Sequence, residues 1–176
     1  EFKEVQQSLV LDHDRSKNFT YFGLENWRDR YALRNKAKEV IEDPQAFFAR
    51  VATGMARGDK DHAQYLYDIM SKNWFLPASP TLMNIATNKG LPISCFLNTV
   101  PDDLGGIFDI YRENAFLAKY GGGIGTDWSQ LRGQNAPLSS SGLVSSGVIP
   151  FLKIMDSETI AIARNGVRRG AAAAYL

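Results

Sequence analysis

The sequence predicts an α/β chain in two stretches, an all-helical first part followed by strands and helices in alternation. Three observations carry this. Apolar residues over positions 1–75 recur at helical spacing. From about Ile93 onward, short β-prone runs bounded by proline or glycine alternate with helical patterns, the grammar of an α/β unit. Between them, residues 76–92 are rich in Pro, Ser and Thr and read as a connecting loop. The expected boundaries are therefore 1–75, 76–92 and 93–176.

Taken in order, residues 1 to about 20 are polar with scattered apolar positions and read as an extended arm. Leu24, Trp27, Tyr31 and Arg34 then fall at helical spacing, with Arg28, Asp29, Arg30 and Arg34 as a solvated charged face. Asp43-Pro44 opens the clearest helix of the first half, with the aspartate as cap and the proline at the first helical position. Phe47, Phe48, Val51, Ala52 and Met55 form its apolar stripe. A second helix from Lys60 to Lys72 places Ala63, Leu66, Tyr67 and Met70 on one side.

In the second half, Cys95 to Val100 is short, apolar and flanked by Pro92 and Pro101, which predicts a buried strand. Asp102-Asp103 suits a helix start, because a side-chain oxygen caps free N–H groups and the charge favours the dipole. That helix must end at Gly121-Gly122-Gly123, before a strand from Ile124 to Trp128. The Ser/Gly run from Ser139 to Gly147 is either a ligand loop or a connector. Pro150 to Ala163 reads as a helix with Phe151, Ile154, Met155, Ile160 and Ile162 available for packing. Arg164 to Gly170 sets three arginines among glycines, which suits phosphate recognition but without further context reads first as a surface turn with solvated charges. Ala172 to Leu176 reads as an apolar strand whose edge needs a pairing partner, so the chain is expected to be a fragment or to be completed by another polypeptide.

Composition excludes several classes. A net charge of +1 over 176 residues gives no electrostatic case for nucleic acid or a membrane surface. No apolar run approaches the roughly 20 residues a membrane span needs, and the N-terminus has no signal-peptide pattern. A single cysteine forms no internal disulfide, so a cytoplasmic protein is expected. His13 and His62 have no ligand arrangement around them, and no metal site is expected. Cys95 beside the glycine run is a site candidate. Alone, it reads first as a small buried hydrophobe, and the glycines lack the spacing of a phosphate or dinucleotide loop.

From Phe19 to the end, the chain resembles the large, catalytic subunit of ribonucleotide reductase. The matching motifs are Phe19-Thr20-Tyr21-Phe22-Gly23-Leu24 with Asp29-Arg30-Tyr31, Ala78-Ser79-Pro80-Thr81-Leu82-Met83-Asn84, Ser94-Cys95, Tyr120-Gly121-Gly122-Gly123-Ile124-Gly125 with Leu131-Arg132, and Arg168-Arg169-Gly170-Ala171. The resemblance implies a helical domain leading into an α/β barrel of two parallel half-sheets, of which this chain holds the first, incomplete part. It implies that Cys95 is one of two thiols that reduce the ribose 2′-carbon and end as a disulfide. Ser79 and Ser94 would hydrogen-bond the substrate diphosphate or ribose, Gly122 and Gly123 would let the nucleoside approach the backbone, and Arg168 would swing toward the substrate base or phosphate. Residues 163–171 would form the loop between effector and substrate. A deoxynucleoside triphosphate effector would be held by Asp102, Asp103, Leu104 and Arg132, while a further family arginine falls on Ser139. The helices from Asp102 and Pro150 would form a homodimer contact.

The same resemblance places the radical cysteine, its partners, the second reducing cysteine and the C-terminal cysteine pair beyond Leu176, and leaves no room before Glu1 for an ATP-binding cone. The expectation is a chain that does not turn over alone. It would work with the remaining C-terminal part of the subunit and bind no cofactor itself. Its radical would come from a dimetal small subunit in preference to adenosylcobalamin, its reductant would be of thioredoxin or glutaredoxin type, and its effectors dNTP or ATP. Rival readings are a non-catalytic nucleotide-binding or assembly module of this family and a glycyl-radical enzyme.

Overall fold

The computed structural model describes residues 2–138, 142–163 and 170–176. The chain divides into two compact units, Glu1–Ile93 and Ser94–Leu176.

The first unit is helical: α1 (Phe2–Ser8), a 3₁₀ turn (His13–Asn18), α2 (Tyr21–Asn26) running into a π turn (Trp27–Tyr31), α3 (Pro44–Ala56), α4 (Lys60–Ser71) and α5 (Ser79–Asn84). α3 starts where the sequence places it. Asp43 Oδ1 accepts from the backbone N–H groups of Gln45 and Ala46, each at 2.8 Å, and Pro44 occupies the first turn. Phe47, Phe48, Val51 and Ala52 are buried against Ala63, Leu66, Tyr67 and Met70 of α4, with Met55 at the margin.

Three expectations need correction here. The first 20 residues are not an extended arm: Val5 and Leu9, one helical turn apart, both enter the core. The Asp12 N–H donates to the Tyr67 hydroxyl and that hydroxyl donates to Gln45 Oε1, both at 2.8 Å, which ties the segment down. Residues 76–92 are not all loop, because Pro80 sits in the first turn of α5, where its missing N–H costs nothing. Arg34 does not continue the Trp27 helix. The chain leaves the π turn at Ala32, and Arg34 forms an isolated antiparallel bridge with Val40.

The second unit runs β1 (Cys95–Thr99), α6 (Leu104–Lys119), β2 (Gly123–Asp127), α7 (Ile149–Ala163), β3 (Ala171–Tyr175). Its three described strands form an open parallel sheet in the order β1-β2-β3, with Cys95 level with Gly123 and Gly123 level with Ala171. Asp103 caps α6 by accepting from the Gly106 N–H at 2.8 Å. The helix ends at Tyr120, and Gly121 takes a φ of +78°, which favours glycine. Val100, Ile107, Tyr111, Trp128 and Met155 make the core between helices and sheet.

β1 is not the buried strand expected from its apolar sequence. Cys95, Leu97 and Thr99 are exposed, Leu97 by 79%, while Phe96 and Asn98 are half-buried. Strand side chains alternate between faces, so with α6 and α7 packed on one face every second residue points away from them. Ile154 and Ile160, expected to pack, are exposed on α7. The Arg164–Arg169 part of the arginine turn, with the expected substrate residue Arg168, and Ser139 of the Ser/Gly loop lie outside the described residues.

Candidate functional site

The open sheet face carries the chain's one thiol. Cys95 is free and exposed. The Gly123 N–H donates to the Ser94 carbonyl at 2.8 Å, which holds Ser94-Cys95 against the start of β2. A Cβ at Gly123 would lie 3.5 Å from both Cys95 Sγ and the Ser94 oxygen, so glycine here leaves clear space beside the sulfur. Gly122 has a different reason to be glycine. A Cβ there would come within 2.7 Å of the Phe96 ring and 3.2 Å of the Leu117 carbonyl. Its requirement comes from the chain's own packing.

On the helix-facing side of the same strand, three residues on from the thiol, lies a polar ring that the sequence reading missed. Thr126 Oγ1 donates to Asn98 Oδ1 at 2.9 Å, Asn98 Nδ2 donates to Asn114 Oδ1 at 2.8 Å, and Asn114 Nδ2 donates to Thr126 Oγ1 at 3.2 Å. Each member gives one hydrogen bond and takes one. The ring therefore ties β1, α6 and β2 together and holds Cys95 level with Gly123. Its only sequence signal is three polar residues at positions that face inward.

At the other end of β1, Asp102 and Arg132 meet. Arg132 Nε donates to both Asp102 carboxylate oxygens, at 3.0 and 2.8 Å, and the Arg132 N–H adds a third bond at 3.2 Å. The terminal guanidinium nitrogens make only longer contacts, 3.3 Å to the Pro137 carbonyl and 3.5 Å to the Asp102 carbonyl. They remain the better placed to take a further acceptor. A cavity of about 350 Å³ adjoins this corner, lined by Trp128, Leu131, Arg132, Gln134, Gly147 and Ile149 among others. A guanidinium on the rim of such a cavity suits an oxyanion. Asp103 spends one carboxylate oxygen on the α6 cap, and Leu104 is exposed.

α6 and α7 are joined where the Tyr111 hydroxyl donates to the Phe151 carbonyl at 2.8 Å. Burial, with the Glu158 carboxylate adding, pushes the Tyr111 phenol up to about 12. Burial also pushes the Glu158 carboxyl up, and its Oε2 is buried without a hydrogen-bond partner.

In the first unit, Ser79 begins α5, and its hydroxyl lies 3.0 Å from that of Tyr31. The far end of α5 is gripped by Arg50, which sequence reasoning also missed. Its guanidinium donates to the Ile85 carbonyl at 3.0 Å and the Leu82 carbonyl at 3.3 Å, and twice to Glu42, each at 3.0 Å. Glu42 in turn accepts from the Leu33 N–H at 2.8 Å. Both side chains are buried, at 4% and 7% exposure, so the pair is screened little by water. Among the described residues no three His, Cys, Asp or Glu gather as for a metal ion, and no helix is long and apolar enough to cross a membrane.

A helical unit followed by an open parallel sheet that presents a free thiol at its first strand defines an all-helical domain joined to a thiol-bearing α/β domain. Comparison with known families agrees in both parts: the ribonucleotide reductase all-alpha domain matches residues 17–90, and the ribonucleotide reductase barrel domain matches residues 93–176. The chain belongs to the ribonucleotide reductase large-subunit family and corresponds to its N-terminal region. It is 39% identical over 166 residues to the ribonucleoside-diphosphate reductase subunit alpha of Helicobacter pylori (strain 26695), covering 93% of this chain and 21% of that protein. Against the subunit alpha of Chlamydia muridarum the identity is 37% over 170 residues, 95% of this chain and 16% of the relative. Against the large subunit of Vaccinia virus it is 34% over 177 residues, 99% and 23%. The chain thus spans between 16% and 23% of the length of these relatives.

Proposed function

We propose that this chain supplies the reducing-thiol strand and the effector corner of a ribonucleoside-diphosphate reductase catalytic subunit. The observation that carries the reading is the Cys95 thiol on an open sheet face, beside a glycine that leaves the space next to the sulfur clear. In the reaction, the ribose C2′–OH bond breaks and oxygen leaves as water. Cys95 and a second thiol lose two electrons and become a disulfide, and hydrogen replaces the hydroxyl at C2′. A thiol suits this because its disulfide is reversible, with a thioredoxin- or glutaredoxin-type dithiol restoring it. The radical that starts the reaction comes from a dimetal small subunit, and the second thiol and radical cysteine from the remaining C-terminal part of the subunit. Ser94 hydrogen-bonds the substrate diphosphate or ribose and Gly123 gives it room, while Ser79 and Arg168 are further substrate residues.

The Asp102–Arg132 corner, with Asp103 and Leu104 at the start of α6, takes a deoxynucleoside triphosphate: the terminal guanidinium nitrogens meet phosphate and the cavity beside them adds volume. Exposed Leu104, Phe108 and Phe116 of α6 and Ile149, Ile154 and Ile160 of α7 supply an apolar surface for a homodimer. The protein acts in the cytoplasm.

A segment exchange tests this. The corresponding stretch of the Helicobacter pylori subunit alpha is replaced by this chain, and deoxynucleotide formation is measured with the small subunit, reductant and effector. The exchange is expected to be active and its Cys95→Ser form inactive. A well-folded exchange without activity, or an active Cys95→Ser form, overturns the assignment.

A further inference from the structure

We infer that Tyr31 is a positioning residue for Ser79: its phenol donates to Ser79 Oγ and so frees the serine hydrogen for an anionic oxygen of a bound nucleotide. The inference rests on the proposed role of Ser79 in hydrogen-bonding the substrate, and it assigns that bond to the diphosphate. The two hydroxyl oxygens are 3.0 Å apart, and either can be the donor. A serine hydroxyl has one hydrogen and two lone pairs. If Ser79 donates to Tyr31, its only hydrogen is consumed; if Tyr31 donates, that hydrogen points outward and is polarised by the bond behind it. A phosphate oxygen selects the second arrangement, because it accepts and does not donate.

The contact is enforced from both sides by the same helix. Tyr31 closes the π turn, in which the Ala32 N–H donates to the Trp27 carbonyl at 2.9 Å, and such turns recur at functional sites. The Tyr31 ring packs 6.4 Å from the Phe47 ring of α3. One turn further along α3, Arg50 lies 5.4 Å from the Phe47 ring centre and grips the carbonyls at the end of α5. Tyr31 and the helix that begins with Ser79 are therefore both held to α3.

The test titrates ADP, adenosine and inorganic pyrophosphate into the whole chain, followed by NMR, with thermal melting as a fold control. Tyr31→Phe keeps the ring and removes only the oxygen. It is expected to weaken ADP and pyrophosphate binding about three- to tenfold, the range for one hydrogen bond, and to leave adenosine unchanged. Ser79→Ala should do the same and the double variant no worse, since Tyr31 acts through Ser79. p-Aminophenylalanine at position 31 retains a donor and should restore binding, which separates positioning from any loss of fold. If Ser79→Ala weakens ADP and Tyr31→Phe does not, the Tyr31 role falls and the Ser79 role stands. If Ser79→Ala has no effect, or the parent chain binds no ADP, both fall. Additive losses, or no rescue by the amino analogue, also overturn the positioning role.

Discussion

Thr126→Val is the sharpest perturbation of the thiol strand. Valine has the shape of threonine, and Thr126 is fully buried, so no cavity opens and the whole effect comes from the lost hydroxyl. Two ring partners lose their bonds: Asn114 Nδ2 at 3.2 Å and Asn98 Oδ1 at 2.9 Å. An unsatisfied buried group costs about 1–3 kcal/mol. Asn114 is buried and bears that in full, whereas Asn98 is half-buried and water offsets part of it. The expected loss is about 2–3 kcal/mol, confined to the second unit. Because the chain has two compact units, a global unfolding midpoint does not by itself say which unit is weakened. Amide hydrogen exchange is better: the β1 and β2 amides should exchange roughly 30-fold faster or more, while α3 amides stay as in the parent. Exchange in β2 within about twofold of the parent would refute the claim that the ring holds the thiol in register.

Gly122→Ala and Gly123→Ala should part company. The first forces a methyl to 2.7 Å from the Phe96 ring and should destabilise by about 1–3 kcal/mol, whereas the second meets only 3.5 Å contacts and should melt like the parent. Glu158→Gln should stabilise the chain more at neutral than at acid pH. Burial raises the Glu158 carboxyl, so its contribution is complete below the unfolded pKa and lost as pH rises through the folded one; melting at several pH values checks this. By the same sign, the parent should lose stability between about pH 10 and 12 as Tyr111 ionises, and Tyr111→Phe should flatten that loss in a pH-melting series. Cys95→Ser should bind a deoxynucleoside triphosphate as the parent does in equilibrium dialysis, whereas Arg132→Leu should not.

Much of the fold was legible because its signals are local. Asp43-Pro44 and Asp103 are caps whose chemistry acts within three residues, and both helices start there. Cys95 and Gly123 were found as motif residues, and their registry followed once the strands were parallel. What stayed hidden is set by partners distant in sequence. Val5 and Leu9 look like isolated apolar residues until α3 and α4 are packed beside them. Asp102 and Arg132 read as two separate ligand contacts, and only the fold across 30 positions makes them a pair. Arg50 sits in an apolar stripe with nothing to mark it, since its acceptors are an upstream carboxylate and carbonyls more than 30 positions away. β1 misled in the opposite sense: an apolar run says nothing about whether one face or two is covered.

The buried Arg50–Glu42 pair turns α5 into a rigid bracket on α3. Shifting Ser79 along the chain's surface means pulling two carbonyls off a guanidinium that has little water to replace them, and stranding a carboxylate at the same time. Small adjustments by side-chain rotation therefore remain easy at this position, while sliding the helix is an all-or-none event. Evolution can alter what the serine touches far more readily than where it stands.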